Sequence, residues 1–167
     1  MPGLIYQLNC KLQTAGERGI PKYPVESAKI TFQGLEGDYN RYRTEKQHSR
    51  LESALMLMPL EMILQLNQEE WPIEPGHLGE NITTQGIPYD SFAPGKIYRV
   101  GQAEIQITEP CTPCTNLYLL PYVGRERVLE FKKILCPTKS QNRRGWYAKV
   151  LTEGMVHQGE SIEERVR

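Results

Sequence analysis

The clearest pattern in the chain runs from Ala103 to Thr108, where Ala103, Ile105 and Ile107 alternate with Glu104, Gln106 and Thr108. A period of two marks a half-buried strand. Leu4 to Leu8 and Val25 to Phe32 also have strand character, and the stretch between them, with Gly16, Gly19 and Pro21, predicts a loop. Residues 34–40, GLEGDYN, are turn chemistry, and Arg41 to Arg50 is polar and basic, which predicts a mobile loop. The spacing changes after Pro59. Leu60, Ile63, Leu64 and Asn67 follow at helical intervals, with the proline at the first helical position and an end before Trp71-Pro72. A second helix is predicted over Gly124 to Leu135, where Val128, Phe131, Ile134 and Leu135 share a face. PGHLGENIT, FAPGKIYRVG and AEIQITEP read as turns and strands with a hairpin about Gly101-Gln102, and Gly154 is placed to turn a closing hairpin between residues 145–151 and 155–158. Many short strands with regular turn signals and few helices predict a mostly β fold, a barrel or sandwich with helical insertions. No repeat, low-complexity tract or linker divides the chain, so a single domain over residues 1–167 is expected.

Composition narrows the function classes. Hydrophobic content of 39% and charged content of 24% are those of an ordinary soluble protein. Lys plus Arg total 20 and so do Asp plus Glu, which leaves no net field to attract nucleic acid or an anionic membrane. No apolar run approaches the roughly 20 residues of a membrane span, and the N-terminal segment lacks the basic and apolar regions of a signal peptide. A cytoplasmic location is expected, where the four cysteines would be free thiols or metal ligands.

Two of those cysteines fall in EPCTPCTNL, residues 109–117. Pro110 and Pro113 stop the preceding strand because neither has an N–H for a ladder. Thr115 and Asn116 can cap the apolar stretch Leu117 to Leu120, which places Cys114 at a helix N-terminus, where dipole and unpaired N–H groups favour a thiolate. Cys114 is therefore the candidate reactive atom. Either thiol also suits the role of a small buried hydrophobe. A zinc site would have to draw on Cys10, Cys136, His77 and His157 from scattered positions, and a thioredoxin-like dithiol would need a βαβ setting.

Several segments together resemble the MOSC domain, the module at the C-terminal end of molybdenum cofactor sulfurases that also occurs as free-standing bacterial proteins. They are GIPK followed by PVESAKIT, the GLEGD turn at 34–38, PGHLGENIT at 75–83, FAPGKIYRVGQAEIQITEPCTPCTNL, and RRGWYAKVLTEGMVHQGESI. The resemblance implies a closed β-barrel of the MOSC or pyruvate-kinase-barrel type and a pocket that handles molybdenum cofactor (molybdopterin) or sulfur. It makes Cys114 the essential cysteine, which carries a persulfide or ligates molybdenum. Cys111 falls where many relatives carry a basic residue; a second ligand, a resolving thiol and an incidental neighbour all stay open. The implied functions are cofactor binding with reduction of N-oxygenated small molecules, persulfide sulfur transfer, or non-catalytic cofactor carriage. The implied partners are a pyridoxal-phosphate-dependent cysteine desulfurase or an electron-donor protein, and the chain shows no lysine site for pyridoxal phosphate itself. After the GxxGD turn many members carry an Arg-His pair and a histidine-containing glycine loop, whereas this chain has Tyr39-Asn40-Arg41-Tyr42-Arg43 and then TEKQHSRLES, with His48 in a comparable place.

Other side chains offer two readings each. Asn81 presents a donor and an acceptor suited to a pterin amide edge, or caps its own turn. Glu80 is a general acid or a structural carboxylate. Asp38 orients a basic partner or caps its own turn. The cofactor's phosphate calls for Arg or Lys, available early in Arg41, Arg43 and Arg50 and late in Arg143, Arg144 and Lys149. Arg144 is favoured because Arg144-Gly145 matches the family's closing motif, with Gly145 leaving room for a ligand beside the backbone. His77 and His157 sit beside or near glycines and read as surface residues.

Overall fold

A computed structural model describes residues 2–41 and 50–166. Among them the elements follow in the order β1 (Gly3–Cys10), β2 (Tyr23–Val25), β3 (Ser27–Thr31), β4 (Gly34–Leu35), β5 (Leu55–Pro59), α1 (Leu60–Gln68), β6 (Ile82–Gln85), β7 (Ile97–Val100), β8 (Ala103–Pro110), α2 (Gly124–Leu135), β9 (Trp146–Thr152), β10 (Gly154–His157) and β11 (Ser161–Glu164). Strands β11, β7, β8, β9, β5, β6 and β1 are hydrogen-bonded in that order, and β1 pairs again with β11. The sheet thus closes into a seven-strand barrel, which leaves the ring without an exposed edge. β2 extends from β1, and β10, β3 and β4 form a small second sheet.

The predicted alternation in β8 holds. Ala103, Ile105 and Ile107 are buried in the barrel while Glu104, Gln106 and Thr108 are half-exposed. Val100 lies opposite Ala103, so the hairpin about Gly101-Gln102 forms, and α2 spans the predicted residues. The strand β5 had no such signal. All five of its residues, Leu-Met-Leu-Met-Pro, are buried, because Leu55 and Leu57 fill the barrel core while Met58 packs into a second cluster outside it. A strand covered on both faces reads as a continuous apolar run. β5 pairs in parallel with β6, and such a pair needs a long crossover, supplied here by α1 and the loop behind it. The second cluster is built from α1, α2 and the segments around Trp71 and Leu117. Among the described residues, no helix is long and apolar enough to cross a membrane.

Three predicted elements form differently. The stretch Val25 to Phe32 breaks at Glu26, so that β2 joins β1 while β3 joins β10. The closing segment is not a hairpin: β9 pairs with β5 and β8, and β10 crosses to β3. Gly154 marks the change of sheet, because a Cβ there would stand 2.6 Å from the carbonyl carbon of Gln102. Pro59 ends β5 and stands at the N-cap of α1, one residue before the helix. Of the basic loop from 41 to 50, residues 42–49 lie outside the described residues.

The two-sided burial of β5 sets an expectation for stability. Leu57→Ala should destabilise the protein by about 2 to 5 kcal/mol, the range for a fully buried leucine, whereas Leu129→Ala, at a side chain 67% exposed, should stay within about 0.5 kcal/mol; urea denaturation of the two variants checks the contrast.

Candidate functional site

Where β8 ends and β9 begins, the chain lines a cleft of about 270 Å³. Pro110 pairs with Trp146 at the end of the β8–β9 ladder, and Cys111 follows immediately. Its main chain is held at both ends: its N–H donates to the Gly145 carbonyl at 2.8 Å, and its carbonyl accepts from Asn142 Nδ2 at 2.7 Å. Met56 and Tyr147 lie opposite each other in the β5–β9 pair, and both line the cleft with Cys111, Cys114 and Arg144. Ile20 and Leu78 add an apolar wall, and Arg18, Asn40 and Asn116 a polar rim.

Gly145 is the reason that Arg144 can be there. Its φ of 107° suits glycine, and a Cβ would stand 2.7 Å from the Leu57 carbonyl and 2.8 Å from Met56 Cε. The space that the sequence assigned to a ligand is filled by β5, so the turn presses against the barrel. The Gly145 N–H donates to the Tyr89 hydroxyl at 2.9 Å, and the Arg144 N–H donates to Asn142 Oδ1 at 2.8 Å. The Arg144 side chain is only 3% exposed, donates from one Nη to the Met56 thioether at 3.3 Å, and has no partner at Nε. A thioether is a weak acceptor. Among the described residues, no carboxylate lies within ion-pair distance of this guanidinium.

The two thiols differ. Cys111 is 2% exposed, and burial pushes its thiol pKa up, with Arg144 and a hydrogen bond from Tyr147 acting in the other direction. Burial likewise pushes the Tyr147 hydroxyl far up, so it stays protonated. Cys114 is half-buried and opens on the cleft. The α-helix predicted after it is a five-residue 3-10 turn, Thr115–Leu119, of which Cys114 itself is the N-cap, without a capping side chain. A turn that short carries little dipole; the buried cation that lines the cleft with both thiols is Arg144. Residues 111–114 have no regular structure and no turn, unlike the helix-capping dithiol of a thioredoxin.

Residues 44–163 match the family described as the MOSC domain. The chain belongs to the MOSC family. It is 25% identical over 154 residues to the uncharacterised protein YflK of Bacillus subtilis, covering 88% of this chain and 63% of YflK. It is 30% identical over 139 residues to the protein YiiM of Escherichia coli, covering 80% of this chain and 57% of YiiM. The chain thus spans less than two thirds of the length of either relative. The crystal structure of YiiM from Geobacillus stearothermophilus superposes with a TM-score of 0.72 at 27% identity, over 99% of this chain and 76% of that one.

The MOSC cleft gathers some of the predicted residues and leaves others out. Cys111, Cys114 and Arg144 line it. Asn81 does not: its Oδ1 accepts the Met56 N–H at 3.1 Å and its Nδ2 donates to Asp38 Oδ2 at 2.8 Å, so both ends of the amide are used inside the protein. Asp38 orients a basic partner, the buried Lys22, whose Nζ lies 2.7 and 2.8 Å from the two carboxylate oxygens. Lys22 stands in the apolar stretch Ile-Pro-Lys-Tyr-Pro, the one sequence signal that could have flagged it. Arg41 is half-buried and outside the cleft lining, and Arg43 and His48 lie outside the described residues. Arg50 pairs with Glu109 at 2.7 Å, Arg143 pairs with Glu69 at 2.9 Å, and Lys149 is not in the lining. His77 accepts the Glu74 N–H at Nδ1 and stacks on Tyr122; His157 is exposed beside Glu160. Among the described residues, no three His, Cys, Asp or Glu side chains cluster to hold a metal. Cys111, Cys114 and the Met56 thioether are the soft donors in the cleft. Sequence reasoning missed Met56, Tyr147 and Arg18, which reach the site only through strand pairing and loop packing.

Two outcomes follow from this geometry. Small alkylating reagents should label Cys114 faster than Cys111 or Cys10, whose thiols burial holds protonated; peptide mapping showing Cys111 labelled first would contradict the burial order. Asp38→Asn should cost about 3 to 5 kcal/mol in denaturant unfolding, because it removes one member of a fully buried ion pair.

Proposed function

We propose that this MOSC protein binds molybdenum cofactor in the cleft and reduces N-oxygenated small molecules in the cytoplasm, with an electron-donor protein as partner. The observation that carries the reading is Arg144, a buried guanidinium with an unused Nε beside the half-buried Cys114. The residues suit the group. A thiolate is a soft ligand appropriate to a transition metal, and a guanidinium binds phosphate and other oxyanions through paired hydrogen bonds. At about 270 Å³ the cleft is at the small end of ligand sites, so it would seat the metal-bearing end of the cofactor while Arg18, Asn40 and Asn116 meet the remainder at the rim. The bound cofactor supplies two-electron oxygen-atom chemistry. The chain's own contribution is to present the Cys114 sulfur, balance negative charge with Arg144, exclude water with Met56, Ile20 and Leu78, and hold the Cys111 thiol with the hydrogen bond from Tyr147. The association of MOSC domains with molybdenum cofactor supports this reading.

One observation favours a second reading. Cys111 opens on the same cleft, which suits sulfur handling, with Cys114 accepting sulfane sulfur from a cysteine desulfurase. A non-catalytic carrier would use the same cleft without turnover.

Metal and pterin analysis of freshly purified protein separates these readings. Near-stoichiometric molybdenum is expected, lost in Cys114→Ser and kept in Cys136→Ser. Arg144→Ala should weaken cofactor binding by about 1.5 to 3 kcal/mol, the range for hydrogen bonds to charged groups, with partial recovery in Arg144→Lys and little change in the melting temperature of the cofactor-free protein. Persulfide on Cys114 without molybdenum would instead establish the sulfur-transfer reading, and bound cofactor that fails to turn over an N-oxide with a reductant would establish the carrier.

A further inference from the structure

Glu80 is fully buried on the far side of the cleft wall: the residue before it, Gly79, lines the cleft, and the Glu80 side chain turns inward. Its Oε1 accepts the Gly76 N–H at 2.7 Å and the Thr83 hydroxyl at 3.1 Å, while its Oε2 has no partner. Arg144 Nε is orphaned in the same way. The two groups are too far apart for an ion pair yet within reach of each other's charge. An isolated charge in a protein interior is strongly disfavoured unless it is compensated or neutralised, and here each compensates the other only from a distance.

We propose that Glu80 is a proton-dependent counter-charge for Arg144: when an anion enters the cleft and takes over the guanidinium, Glu80 binds a proton. This rests on Arg144 as the anion site of the preceding section and goes beyond it by assigning Glu80 control over that site through Arg144. Glu80 touches no ligand and is a positioning residue. Burial pushes its carboxyl pKa up. The other titratable groups around it among the described residues are Tyr122, from the segment leading into α2, and Glu74 and His77 of its own loop, which meet Tyr122. Burial lowers the His77 pKa, so His77 is the group whose titration has to be separated from that of Glu80.

The sign is fixed by linkage. An added negative charge at Arg144 raises the Glu80 pKa above its value in the empty cleft, so anion affinity rises as pH falls through the window between the two values and levels off below it.

The test uses the whole cofactor-free chain and inorganic sulfate, whose charge is constant between about pH 5 and 8. Isothermal titration in buffers of different ionisation enthalpy should show proton uptake on binding, up to one per sulfate. Glu80→Gln should abolish that uptake, flatten the pH profile and tighten sulfate binding at pH 8 by at least roughly ten-fold, because a unit charge closer than about 12 Å contributes more than about 1.4 kcal/mol at an effective dielectric near 20. His77→Gln should keep the profile. If Arg144→Ala leaves sulfate binding unchanged, the anion site itself is wrong and this proposal falls with it. If Arg144→Ala weakens binding but the unmodified protein takes up no proton, the anion site stands and the role of Glu80 is overturned, a result that does not depend on whether Glu80→Gln folds. A pH profile that survives in Glu80→Gln and disappears in His77→Gln would likewise assign the proton to His77 and overturn the proposal.

Discussion

Lys22 and Asp38 meet with both side chains out of water. Removing two charges from solvent costs several kcal/mol per ion, and the arrangement holds because every contact is a strong one. Asp38 also accepts the Lys11 N–H and the Asn81 amide, and Lys22 also donates to the Tyr39 carbonyl. The pair joins segments that are far apart in sequence. The Lys22 N–H binds the Gly76 carbonyl, and Asn81 reaches on to the Met56 N–H of β5. The loops so joined carry Gly19, Ile20, Asn40 and Gly79, one wall of the cleft. The geometry opposite the thiols thus depends on an ion pair that never faces a ligand.

Arg144 presents the contrary case. It too is buried, but the structure gives it a thioether instead of a carboxylate. A fold selected for stability alone gains little from such a residue, since an apolar side chain of similar volume would fill the space without the desolvation. Placing positive charge without an ion-pair partner next to two thiols makes sense where negative charge is to be received. The asymmetry between Lys22, fully matched, and Arg144, left open, distinguishes the wall from the site.

What could be read from the sequence follows from the range of the forces involved. The alternation in residues 103–108 and the helical face of residues 124–135 are local, and both elements form as expected. The order of the five motifs carried the family and with it the closed barrel. β5 was silent because burial on both sides erases periodicity, and the path of β10 could not be inferred because a glycine placed for close packing looks the same as one placed for a turn. At the site, Cys114 and Arg144 stood in motifs and meet in one cleft. Asn81 stood in a motif as well, but its amide is consumed by partners 25 and 43 residues away, which no local pattern reveals. The dipole expected to act on Cys114 required a helix length that the chain does not supply.

β5 gives its two faces to different tasks. Leu55 and Leu57 belong to the barrel interior, while Met56 between them forms cleft wall and contacts Arg144. Methionine is the most adaptable of the apolar side chains, and its neighbours Leu55 and Leu57 point the other way. The shape of the binding surface can therefore be altered at one position without disturbing the packing that closes the barrel. Such a partition lets the lining of the cleft vary while the barrel stays constant.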